Sequence, residues 1–176
     1  MNLLALPPAR LRRLFNLWWP FLFAGIRVLD LPQDWSSARV RLRRYWFNRN
    51  YVGTHFGGSL FAMTDPFWML LLIHRLGTDY IVWDQAATIE FLKATREDVY
   101  ADFVLDETVV DEIRAAAADG QKHLRWFDVE IKTAGGELIA RSRKQIYVRL
   151  KPDRRPVIDP IATPATPAHQ TDSHRA

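Results

Sequence analysis

Cysteine is absent from the 176 residues. Its absence excludes a disulfide framework, a thiolate nucleophile and any Cys-based metal site, and it permits a reducing compartment. Glycine is sparse, with eight residues, and no P-loop or other Gly-rich phosphate cradle occurs. No metal-ligand spacing or cofactor fingerprint is present, so neither a metal nor a cofactor is expected. Uninterrupted membrane-spanning runs are also missing, since the stretch Phe56–Ile73 approaches spanning length but contains Asp65, Pro66 and two glycines. What remains is a chain that is 48% apolar and 12% aromatic, with seven Trp. Such a composition excludes global disorder and suits one folded domain.

Charge is segregated along the chain. Residues 1–55 carry nine Arg against two Asp, residues 56–120 four bases against twelve acids, and residues 121–176 eleven bases against six acids. Basic surfaces attract phosphates, anionic lipid or nucleic acid, but no nucleic-acid recognition motif accompanies these. Arg10, Arg12 and Arg13 precede an apolar run that loosely resembles a signal peptide, but Asn16, Pro20 and the lack of an A-x-A site argue against one. Leu11, Leu14, Phe15, Trp18 and Trp19 share one helical face opposite the arginines, which predicts an amphipathic helix ended by Pro20. Packing on the domain or a dimer partner is its expected role, with a membrane surface as the less favoured one.

The expected organisation is an N-terminal amphipathic helix over 1–24, a main domain over 25–150 and a disordered Pro/Ala/Thr-rich tail over 151–176. Strands are predicted at Gly25–Leu31 and Ala38–Tyr45, the second with Arg39, Arg41 and Arg43 alternating against Val40 and Leu42. After a long apolar helix to Gly77, Tyr80–Lys93 and Val99–Leu105 are expected to pair as a hairpin. A short helix starting at Asp106 and stopped by Gly120 follows, then strands His123–Thr133 and Glu137–Leu150 around Ala134-Gly135-Gly136. The fold class is therefore α+β, with an antiparallel sheet of about six strands wrapped around a helix that is apolar all round.

The stretch that carries chemistry is Asn50–Gly77. Gly57 and Gly58 at a helix start leave N–H groups unpaired, and such groups hold a carbonyl oxygen as it becomes an oxyanion. Asp65, the lone acid in the apolar segment, is a helix cap, a structural ion pair or a working carboxylate. As a working group it acts as general base on water or as nucleophile. Thr64-Asp65-Pro66 also reads as a helix restart, with Asp as N-cap and Pro at the first helical position. Asn50 is a substrate or water contact, or an ordinary turn residue. His55 is a ligand contact or a turn histidine satisfied by backbone. Asp84 and Thr88 share one strand face and could hold water. Phe61, Phe67, Trp68 and Leu71 line a slot for an acyl or aryl chain, or only the core.

Asn50-x-x-Gly53-x-x-Phe56-Gly57-Gly58 followed by Asp65 resembles the acyl-CoA thioesterases of the phenylacetate-pathway type, hotdog-fold proteins whose pattern is N-x-x-G-x-x-H-G-G followed by Asp. Taken whole, residues 10–150 resemble a bacterial domain-of-unknown-function branch of that superfamily, DUF4442-like. The resemblance implies a hotdog fold, a homodimer or dimer of dimers, a cytoplasmic location and an acyl-CoA or similar thioester as ligand. It implies Asp65, Gly57, Gly58 and Asn50 as catalytic residues, the carboxylate working across the dimer interface; His55, Phe56, Phe61, Trp68, Asp84 and Thr88 are the residues expected near substrate. Phe56 stands where the family pattern has His, and His55 lies one residue earlier. The alternative is a non-catalytic acyl- or lipid-binding hotdog protein associated with membranes.

Overall fold

The computed structural model describes residues 6–154. The elements are α1 (Pro8–Leu17), α2 (Trp19–Ala24), β1 (Ile26–Asp30), β2 (Ser37–Leu42), α3 (Gly57–Ala62), α4 (Phe67–Leu76), β3 (Tyr80–Phe91), β4 (Val99–Val104), α5 (Glu107–Ala116), β5 (His123–Thr133) and β6 (Leu138–Leu150). One antiparallel sheet holds all six strands in the order β1-β2-β4-β5-β6-β3. Its inner face is built by period-two alternation: Val40, Ala101, Ile131 and Ala140 lie in register across four strands, all buried. On the outer face, cross-strand ion pairs join Arg39 to Asp102 and Arg143 to Asp128. The arginine row of β2 is thus partly neutralised by the acidic middle segment.

The inner face closes over α4, whose Phe67, Trp68, Leu70, Leu71, Leu72 and Leu76 are all buried. The sheet, α5 and the α1–α2 hairpin each cover part of it, and Phe67 meets both Phe15 and Phe21. This explains a helix that is apolar all round. A six-stranded antiparallel sheet wrapped around a central helix is the hotdog fold.

Two expectations need correction. The N-terminal helix ends at Leu17, and Pro20 sits in the first turn of α2, where its missing N–H costs nothing. Second, β3 and β4 are not hairpin partners: β3 pairs only with β6, whereas β4 lies between β2 and β5. Their connection, residues 92–98, crosses the sheet instead of turning tightly, and a chain pattern of two adjacent strands does not distinguish the two. The long central helix is present as α3 and α4, with a break where Thr64-Asp65-Pro66 reads as a restart. Thr64 and Asp65 donate back three residues, to Phe61 and Ala62, tightening the end of α3, and α4 resumes with Leu70 bonded to Pro66. Pro66 lacks the donor a continuous helix requires. The predicted tail lies almost wholly outside the described residues, of which a short 3-10 turn at Pro152–Arg154 is the last. No helix among the described residues is long and apolar enough to cross a membrane.

Candidate active site

The interruption between α3 and α4 aims Asp65 at the sheet. Asp65 does not cap α4, whose N-cap is Pro66 and has no side-chain cap bond. Instead its Oδ1 accepts from the Lys144 ammonium. The same ammonium donates to Asp84 Oδ2 at 2.8 Å. Lys144 is only 3% exposed, whereas the Asp65 side chain is 57% exposed. A buried lysine thus bridges a carboxylate at the surface and one part-buried in the sheet. Buried ammonium groups require such partners. The Phe61 ring lies 5.9 Å from the Lys144 nitrogen. Burial pushes the Asp84 carboxyl above its ordinary value, Lys144 opposes that shift, and the neighbouring Asp65 adds to it. The Oδ1 of Asp84 is buried with no partner among the described residues.

Lys144 was not among the residues singled out from sequence, yet a signal existed. On β6 the positions Ala140, Ser142, Lys144, Ile146 and Val148 all face inward, so strict alternation puts one lysine in an otherwise small or apolar row. Beside it, the fully buried Thr64 hydroxyl donates to Phe61 C=O at 2.8 Å and lies 3.1 Å from Ser142 Oγ, which reaches Thr88 C=O at 3.3 Å. These bonds tie the helix break to β6 and β3.

A bulge separates Asp84 from Thr88. Asp84 pairs with Ile146 and Ala86 with Gln145, so Gln85 is the extra residue. Each side chain beyond it changes face, and Thr88 pairs with the outward Arg143. Asp84 lies on the Lys144 face and Thr88 on the other.

The loop before α3 forms the second half of the site. Gly57 and Gly58 are its first two helical residues, and the first intrahelical donors are Ser59 and Leu60, both bonded to Phe56 C=O. The earlier N–H groups therefore face outward at the positive end of a helix. Gly57 lies so close to Phe91 that an added Cβ would stand 2.9 Å from its ring. A cleft of about 390 Å³ here is lined by Asn50, Thr54, His55, Gly57, Leu60 and Phe91 through Ala94.

Asn50 is occupied within this loop: its Nδ2 donates to Thr54 Oγ1 and His55 C=O, and its Oδ1 accepts from Thr54 N–H. His55 is buried and its Nε2 bonds to Glu97 C=O at 2.7 Å. Its Nδ1 is buried without a partner among the described residues, and burial holds its pKa below 6.5. Phe56 is exposed. Trp68 is packed between Phe103 and Phe127, as core. Asp65 does not line the Gly57 cleft. Among the described residues, no group of three or more His, Asp or Glu is placed to hold a metal ion.

Fold and site together define a hotdog-fold protein with a carboxylate at the break of its central helix. Residues 9–148 match the family described as a domain of unknown function, DUF4442, and the chain belongs to that family. No curated protein matches the sequence. Among solved structures, the chain resembles a protein of unknown function from Pseudomonas aeruginosa described as a probable thioesterase, at 19% identity and TM-score 0.73, covering 83% of this chain and 97% of that one. A thioesterase from Haemophilus influenzae gives 15% identity and TM-score 0.60 over 83% and 92%. A hypothetical thioesterase from Streptococcus pneumoniae, solved with coenzyme A, gives 16% and 0.54 over 82% and 98%. At such identities the likeness shows the fold alone.

Proposed function

We propose that this protein hydrolyses an acyl-CoA or related acyl thioester, with Asp65 as its general base or nucleophile. The observation that carries this reading is the Asp65 carboxylate, held by buried Lys144 at the break of a hotdog helix. As general base, Asp65 takes a proton from water while the water oxygen bonds to the thioester carbonyl carbon. The carbonyl oxygen becomes an oxyanion held by the Gly57 and Gly58 N–H groups; the C–S bond then breaks and the thiolate leaves. One such donor contributes about 3 kcal/mol in a transition state. The naming of solved structures with this fold as thioesterases, one bound to coenzyme A, supports the substrate class.

The two halves of the site belong together across a homodimer. β3 is a 12-residue edge strand without a neighbour on one side among the described residues, and long bare edges pair with another chain. Joining two copies there would let the Asp65 cluster of one protomer face the Gly57 cleft of its partner. A cytoplasmic location fits an acyl-CoA substrate.

The test is a hydrolysis panel over acyl-CoA chain lengths with Asp65→Asn as control. The variant is expected to keep its fold and lose at least 100-fold in kcat, on the order of a removed general base. Equal turnover would sink the mechanism. A second reading, an acyl-binding protein without catalysis, is favoured by the commitment of Asn50 to its own loop and of His55 to Glu97 C=O. Co-purified fatty acid with no hydrolysis of any chain length would select it.

A further inference from the structure

The α1–α2 hairpin covers the β1 side of the sheet, at the opposite end from β3. Its inner residues Leu11 and Phe21 are buried. Its outer surface is more unusual, because Trp19 is 69% exposed, and Leu17, Trp18 and Phe23 are exposed as well. Trp19 and Phe23 lie ring against ring at 5.3 Å. The loop after β2 extends the same surface. Asn48 Nδ2 donates to Ala24 C=O at 2.7 Å, which ties that loop to the end of α2, and Trp46 there is 80% exposed beside an exposed Phe47. An apolar patch of this kind on a folded chain marks an interaction surface.

Charge identifies the occupant. Residues 1–29 contain four Arg and no acid. On α1, Arg10 and Arg13 lie at helical spacing with Leu14 and Leu17, and all four are exposed. Neither Arg10 nor Arg13, nor Arg27 on β1, has an ion-pair partner among the described residues. Exposed Trp and Phe beside unpaired arginine is the chemistry of a helix lying in a lipid headgroup layer. A two-fold contact with a second copy would instead set this surface against itself, arginine facing arginine.

We propose that the α1–α2 hairpin and the Trp46–Phe47 loop dock this protein on an anionic phospholipid surface. Docked there, the hairpin rests directly on the central helix, because Phe15 and Phe21 both pack on Phe67, two residues beyond Asp65. The inference is independent of hydrolysis, and its test uses no thioester.

The test is co-sedimentation of the full chain with vesicles of phosphatidylcholine alone and of phosphatidylcholine mixed with phosphatidylglycerol. The expected result is binding to the mixed vesicles, weakened by salt. Trp19→Ser with Phe23→Ser should reduce partitioning more than tenfold, and Arg10→Ala with Arg13→Ala about fivefold for each charge removed. Near-ultraviolet circular dichroism checks the fold of each variant. Failure of the folded wild-type chain to bind mixed vesicles would overturn the proposal. So would unchanged binding by the Trp19/Phe23 variant, or a fall in that variant's sedimenting mass to half that of the wild type, which would assign the patch to a second copy.

Discussion

The two halves of the candidate site satisfy their polar groups in opposite ways. In the Asn50–Gly58 loop, the central amide closes at short range: every bond of the Asn50 side chain ends within five residues, and His55 and Gly53 C=O are met from outside, by Glu97 C=O and Arg44. In the carboxylate half, charges from a helix break, β3 and β6 meet over 60 to 79 residues of chain. The Asn50 turn can form locally, though His55 anchors it to Glu97, but the second half exists only when the whole sheet has closed on the helix. The difference predicts where damage spreads. Removing Lys144 leaves Asp84 part-buried without its cation, so Lys144→Met should cost about 3 kcal/mol at neutral pH, measured by urea unfolding. Adding Asp84→Asn should restore much of that loss, because the stranded charge is gone. A cost below about 1 kcal/mol would mean that the ion triad resembles an exposed pair, and the contrast between the halves would collapse.

The loop half should be less sensitive. Asn50→Ala removes three hydrogen bonds, of which the one from Thr54 N–H leaves a backbone donor unpaired. The expected loss is about 2 kcal/mol. Near-wild-type stability with a large fall in kcat would reverse the assignment and make Asn50 a group that meets substrate.

Much of this contrast was legible in the chain, for identifiable reasons. Wrapping of α4 followed from an all-apolar helix amid amphipathic strands, and the strand His123–Thr133 kept its bounds because the Gly135-Gly136 turn ends it. Asp65 was visible as an acid in apolar surroundings, and Pro66 as a helix break. Its partner was harder to see: Lys144 lies 79 residues away, and only the inward parity of β6 marks it. The bulge at Gln85 was not visible, since nothing about Asp84-Gln85-Ala86 breaks the strand pattern, yet it places Thr88 on the opposite face from Asp84. Strand order was equally hidden, because residues 92–98 read as a turn whether they close a hairpin or carry the chain across the sheet.

The smallest expected effect concerns protons on the loop half. His55 is buried against Glu97 C=O, and burial holds its pKa below 6.5, more than that hydrogen bond and the Asp98 charge raise it. In the unfolded chain the same imidazole takes up its proton near 6.5. Below that pH the unfolded state binds more protons than the folded one, so stability falls as pH is lowered from 6.5 toward the folded value. His74, part-buried and stacked on Trp35 at 3.5 Å, contributes with the same sign. The Asp84 carboxyl acts in the other direction. Its folded pKa is raised from 3.8, so the folded state holds its proton longer and stability falls as pH rises from 3.8 through the raised value. Between about pH 7 and pH 5 the urea midpoint of the wild type should therefore lose more on acidification than that of His55→Gln. An unchanged slope in that variant would place His55 in contact with water in the folded state, and the loop half would then be open at its centre.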